Sequence, residues 1–252
     1  MRLWFLLPAL CLAADPVYIL HDTPAPVYTL ARGLQSRGFD VRVEEQPAFK
    51  THMSALKARA VFMYVHNAFD ASIEKALIAW TEAGGQLIVL HHGMASGKMR
   101  NQLWPAFMGV RIQPRDDPHY PWKVFRGTFQ VVNLQPRHWI TSNKVRWPAT
   151  TQYTPSDAPS LPQELPSFNL PDTELFHNQL FTDGRRKTVL LGMKGEVEGR
   201  TLMQDRAGWL MPAGKGWVVY FQMGHEARDF QNSSYMQMID NALRWKPSPG
   251  LP

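Results

Sequence analysis

The sequence predicts an α/β fold in which a mainly parallel sheet is covered by helices on both faces. Three observations carry this. Short continuous apolar runs recur at 17–20, 60–65 and 86–90. The segments between them carry helical spacing. Glycines end those helices just before the next run. Strands buried on both faces read as unbroken apolar runs, which is the mark of a parallel sheet.

Taken in order, residues 17–20 form the first strand. Residues 26–37 follow as a helix, with Val27, Leu30, Ala31 and Leu34 on one face and Gly38 as the stop. Residues 39–43 alternate and predict a second strand. The run 60–65 is a buried strand. Residues 70–83 form a helix, capped by Asp70, carrying Ile73, Leu77, Ile78 and Trp80, and stopped by Gly84 and Gly85. The run 86–90 is again a buried strand. Residues 122–132 predict strand material at a sheet edge or in a hairpin. Residues 147–171 hold six prolines and little periodicity, so an irregular Pro-rich insertion is expected there. Strands at 188–193 and 217–222 and an amphipathic helix at 232–245 (Met236, Ile239, Leu243) complete the chain. No internal repeat is present, and residues 15–252 read as one domain.

Residues 1–14 read as a secretory signal peptide. Arg2 is followed by an apolar run at 3–12, and Ala13 and Ala14 are small residues before Asp15. The run is too short to span a bilayer, and no later segment reaches about 18 apolar residues. A secreted or periplasmic protein is the expectation. The alternative is a cytoplasmic protein with a hydrophobic N-terminal arm.

The chain of 252 residues has nine histidines and one cysteine, Cys11, which lies inside the expected signal. A mature chain without thiols has no disulfide, no cysteine-built zinc or iron–sulfur site and no cysteine nucleophile. The formal charge of +6 is spread thinly. Arg185, Arg186 and Lys187 form the densest cluster, and no basic helix with interleaved aromatics occurs, which argues against nucleic acid.

Five histidines fall just past predicted strands. His21 follows the first, His66 follows 60–65, His91 and His92 follow 86–90, and His225 follows 217–222 after Met223 and Gly224. In an open parallel sheet the C-terminal strand ends share one edge, where ligands bind. Imidazole suits such a crevice because it titrates near neutrality, donates and accepts hydrogen bonds, and ligates metals. A single histidine at a strand end most often satisfies loop backbone; five at one edge point to a site. His52, His119 and His177 have no such placement.

Several motifs carry a family resemblance. One is Gly84-Gly85-Gln86-Leu87-Ile88-Val89-Leu90-His91-His92. A second is Gly214-Lys215-Gly216-Trp217-Val218-Val219-Tyr220-Phe221 followed by Met223-Gly224-His225. A third is Ile239-Asp240-Asn241-Ala242-Leu243-Arg244-Trp245. With the weaker Arg137-His138-Trp139-Ile140-Thr141 and Thr173-Glu174-Leu175-Phe176, they resemble the trehalose-utilisation (ThuA-like) family over nearly all of the chain after residue 14. The resemblance implies a flavodoxin-like (Rossmann-like), doubly wound fold of the class I glutamine amidotransferase-like superfamily, and a role in carbohydrate metabolism. Thr173 stands where the family has an acidic residue, Phe176 where it has tyrosine, and Trp139 where it has proline. His91 lies where true amidotransferases carry their cysteine, so glutamine hydrolysis through a thioester is excluded.

The expected centre is His91 and His225 with Glu174 as acidic partner, since a carboxylate beside imidazole fixes its tautomer and raises its basicity. His21, His66, His92, Arg228 and Asn232 are expected to bind a small carbohydrate, with helix capping as the competing role for Asn232. His66, His91 and His225 are candidate ligands for a divalent metal such as zinc, or nickel. The glycine pair 84–85 precedes a strand instead of opening a helix, so it is not a dinucleotide loop. Ser96 lies outside any GxSxG elbow. Asp116 and Asp117 read as a solvated turn. A sugar-active hydrolase, lyase or isomerase fits these residues. A non-catalytic carbohydrate-binding protein and a scaffold with a vestigial edge are the alternatives. The oligomeric state is left open.

Overall fold

The computed structural model describes residues 15–111, 123–155 and 161–247. The expected signal with Cys11, and also Asp116, Asp117, His119 and Trp122, lie outside the described residues.

Twelve strands and six helices follow in chain order. The first half holds β1 Val17–His21, α1 Pro24–Gln35, β2 Val41–Glu45, α2 Gln46–Lys50, β3 Ala60–Tyr64, α3 Ala71–Glu82, β4 Gln86–Leu90, α4 Trp104–Met108 and β5 Val110–Arg111. The second half holds β6 Lys123–Asn133, α5 Trp139–Ser142, β7 Ala149–Tyr153, β8 Gln163–His177, β9 Leu180–Phe181, β10 Thr188–Val197, β11 Arg200–Ala213, β12 Gly216–Phe221 and α6 Ser233–Arg244.

Ten strands form one sheet in the order β2-β1-β3-β4-β12-β11-β10-β6-β8-β7. The first five of these pair in parallel, as the unbroken apolar runs predict. The other strands continue the sheet in antiparallel fashion. Side chains alternate across the pleat, so each buried strand feeds two cores. Ile88 and Leu90 face one core with Leu30 and Leu34 of α1 and Ile239 and Leu243 of α6. Leu87 and Val89 face the other, with Phe49 of α2 and Ile73 and Leu77 of α3. Helices on both faces make this a doubly wound α/β fold. Asp70 caps α3 by accepting from the Ser72 N–H, as expected.

The segment expected as an irregular Pro-rich insertion is instead the paired strands β7 and β8. Four of its five described prolines lie outside the strands or in a bulge, and Pro166 lies within β8 opposite Thr150. Pro148 precedes β7, and Pro155 follows it. Pro162 precedes β8. Pro166 lies one residue past the last β6 partner, Ser167, and Pro171 lies in the register shift between Leu170 and Thr173. That shift is a bulge, with Asp172 in the left-handed region at φ 50°.

The bulge has a geometric result. In the sheet order β8 lies five ladder steps from β4, about 24 Å if the sheet were flat. Yet Glu174 of β8 touches His91, next to β4. Beyond the bulge the paired ends of β6 and β8 therefore arch back over the strand ends of the parallel half.

Candidate functional site

His91 follows β4 directly and takes a left-handed backbone conformation, φ 36°. A non-glycine residue held there costs roughly 1–3 kcal/mol, and such strain clusters at functional sites. The turn that holds it, His91–Met94, is tight: a Cβ on Gly93 would meet Val89 Cγ1 at 2.4 Å.

The His91 ring is completely buried and fixed at both nitrogens. Nδ1 lies 2.6 Å from the Gln222 carbonyl oxygen. A carbonyl only accepts, so Nδ1 carries a hydrogen, and in the neutral ring Nε2 is the nitrogen with the lone pair. Nε2 faces His225 Nδ1 at 3.1 Å and Glu174 Oε2 at 3.3 Å. His225 Nδ1 is itself 3.4 Å from Glu174 Oε2. Phe176, in the family's tyrosine position, packs on His91 with ring centroids 4.7 Å apart.

His225 is held by the loop that follows β12. Tyr64 donates to the Gly224 carbonyl at 2.7 Å, and Tyr235 donates to that of Met223 at 2.9 Å. Gly224 takes φ 115°, where a side chain would be strained. Its N–H donates to Asp229 Oδ2, which also accepts from the Thr173 hydroxyl at 2.8 Å. Thr173, standing where the family has an acid, thus ties β8 to this loop. Burial raises the Asp229 carboxyl above its ordinary value, against the pull of those two donors. Burial, then the neighbouring His91, pushes the His225 imidazole down, against Glu174.

His92 packs on both His91 and His66, ring centroids 4.3 and 4.2 Å apart. Burial drives its imidazole far below the ordinary value, followed by the charges His91, His66 and His225 would carry. His66 is held from below. Asp22 accepts from the backbone N–H of His66 at 2.7 Å and of Asn67 at 2.9 Å. Lys98, completely buried, donates to the carbonyls of Val65, His66 and Asn67. Burial pushes the Lys98 ammonium down to about 7, with Asp22 pulling it up.

The structure thus brings together His91, His92, Glu174 and His225, whose ligand atoms all lie within 4.8 Å of one another. Three of these are the expected centre. His66 is not in the converging set, which corrects its place as a metal ligand; it stands behind His92. His21 is buried against Tyr28, ring centroids 6.2 Å apart, because β1 is separated from β4 by β3. Arg228 pairs with Asp172 at 3.4 Å on the rim, beside Arg126, which bonds Asp172 and Glu226. Asn232 is the N-cap of α6, accepting from Ser234 and Tyr235, so its oxygen is already used. Sequence reasoning missed Asp22, Lys98, Asp229 and Gln222. Asp22 alone had a usable signal, a carboxylate directly after a strand. A cleft of about 780 Å³, lined by Arg59, Trp80, Lys215, Trp217 and Trp245, opens at the opposite end of the parallel strands.

Fold and site together define a doubly wound α/β protein with a histidine–carboxylate centre at its strand-end edge. The chain belongs to the ThuA family, described as trehalose utilisation, whose family model matches residues 15–246. A search of curated proteins finds no match. Among solved structures it is similar to a ThuA-like protein from Bacteroides uniformis (TM-score 0.62, 14% identity, covering 95% of this chain and 94% of that one). It is similar to another from Parabacteroides merdae (TM-score 0.65, 10% identity, covering 92% and 89%). It also matches part of Agd3, titled a novel carbohydrate deacetylase (TM-score 0.59, 8% identity, covering 92% of this chain and 32% of that one). At these identities the likeness is one of fold. Among the described residues no helix is long and apolar enough to cross a membrane.

Proposed function

We propose that this protein is an exported enzyme of carbohydrate metabolism that acts on a sugar or keto-sugar through proton transfer at His225. One observation carries the reading: the chain Gln222 carbonyl, His91, His225, with Glu174 alongside both rings. With the neutral His91 ring presenting its lone pair, His225 donates from Nδ1, and its Nε2, 3.6 Å from Glu226 Oε1, is the nitrogen that takes a proton. The His225 and Glu174 side chains are 17% and 15% exposed, so they can meet a ligand that His91 cannot. His91 is then a positioning residue and His225 the catalytic one. The family's description and the carbohydrate chemistry of one fold neighbour support a sugar as substrate. The apolar run at 3–12 after Arg2, with Ala13 and Ala14 behind it, supports export.

A thermal-shift panel of mono- and disaccharides and their keto forms should give a stabilising ligand that is also turned over. His225→Ala should lower kcat/KM by about 10²–10⁴-fold with folding intact. His91→Ala should lower kcat and displace the pH profile while KM is kept. Full turnover in both variants would show that the site is elsewhere.

A further inference from the structure

The spacing of three donors has a second reading. Ionised Glu174 accepts only, and in the neutral ring His91 Nε2 is an acceptor, since the ring hydrogen lies on Nδ1 toward the Gln222 carbonyl. These two acceptors face each other at 3.3 Å. The one hydrogen on His225 Nδ1 can point at His91 or at Glu174, not both, though it is close to each. A cation placed among the three satisfies every contact at once.

The dimensions fit a particular kind of cation. Zinc binds imidazole nitrogen at about 2.0–2.1 Å and carboxylate oxygen at about 2.0–2.2 Å, which makes the edges of a tetrahedral ligand set roughly 3.3–3.6 Å. The two edges to Glu174 are 3.3 and 3.4 Å, as one face of such a tetrahedron requires, and the His91–His225 edge, 3.1 Å, is slightly shorter. His92 is the fourth and outlying donor of the set. Its Nδ1 is buried, with no hydrogen-bond partner among the described residues, in a side chain of a residue only 9% exposed. The carbonyl bond to His91 Nδ1 is the outer-shell partner that metal-bound imidazoles almost always have.

We propose that His91 Nε2, His225 Nδ1 and Glu174 Oε2, with His92 as fourth donor, form a binding site for one zinc-class divalent ion. The ion takes the place of the hydrogen that His225 shares with His91. Base and ligand are therefore exclusive roles for that imidazole. This concerns the same centre as the carbohydrate reading but needs no sugar for its test, so the two can fail separately.

The test uses the full chain, purified without a histidine tag, stripped with a chelator and titrated with zinc chloride by calorimetry. Elemental analysis follows after desalting. The expected result is one zinc per chain. Cobalt loading should give the intense visible bands of a tetrahedral nitrogen–oxygen site. Glu174→Gln, which keeps the shape of the side chain, should weaken zinc by more than the roughly 10–100-fold that losing an outer-shell partner costs. His225→Ala should do the same, with circular dichroism confirming both folds. His52→Ala, changed at a histidine paired with Glu44, should bind as the parent does. No stoichiometric zinc in the parent, or unchanged affinity in both Glu174→Gln and His225→Ala, would overturn the site.

Discussion

His66 shows how a single residue is placed by groups that do no chemistry themselves. The Asp22 carboxylate holds the N–H groups of His66 and Asn67, and Lys98 holds the carbonyls beside them. Burial pushes the Asp22 carboxyl up, but the two backbone donors, the Lys98 charge and the Thr23 hydroxyl together keep it below its ordinary 3.8. A depressed carboxyl stabilises the fold above the unfolded value and loses that contribution as pH falls through the folded one. Acidification below about pH 4 should therefore cost the parent about 1–2 kcal/mol that Asp22→Asn does not lose over the same range. Urea midpoints at neutral and acid pH measure the difference. Residue identity at strand ends was legible because a histidine after a buried run stands out. Convergence was not, because it depends on strand order. His21 is separated from β4 by β3, and Glu174 arrives from a strand remote in the sheet.

At the scale of the element, α6 shows a polar residue whose two readings the structure separates. Asn232 could have met a ligand, but its side chain accepts from Ser234 at 3.0 Å and Tyr235 at 3.0 Å. Asn232→Ala should lower stability by about 1 kcal/mol, as the loss of an N-cap does. Turnover and zinc binding should stay at the parent's level; a selective loss of either would return Asn232 to the site. The parallel strands and α1, α3 and α6 were legible from apolar period and glycine stops. β8 was not, because its prolines mimic a loop while lying within the strand, Pro166 opposite Thr150 and Pro171 in a bulge. β11 was hidden differently: buried Gln204 and Asp205 interrupt its apolar run, and Asp205 accepts from Tyr153 at 2.7 Å.

Across the whole molecule, one core crosses from the parallel half into the antiparallel extension. It joins Ile88 of β4 to Phe129 of β6, Phe168 of β8 and Leu191 of β10. The two halves should then unfold together. Ile88→Ala, at a completely buried position, should cost about 2–5 kcal/mol. It should move the urea midpoint without changing the slope, with tryptophan fluorescence and circular dichroism coincident. Separate transitions by the two probes would show that the halves are independent.

The arch of the paired β6–β8 ends gives the centre a thermodynamic character of its own. His91 and His225 belong to the parallel half, while Glu174 is delivered by a strand of the extension. The centre exists only while that arch is docked. Whatever binds across it therefore acts as a staple between two parts of the chain. Occupancy is linked to docking by mass action, with about 2.7 kcal/mol gained at a hundred times the dissociation constant. Chemistry and architecture share one equilibrium here, and an arch that lifts away would take the carboxylate with it.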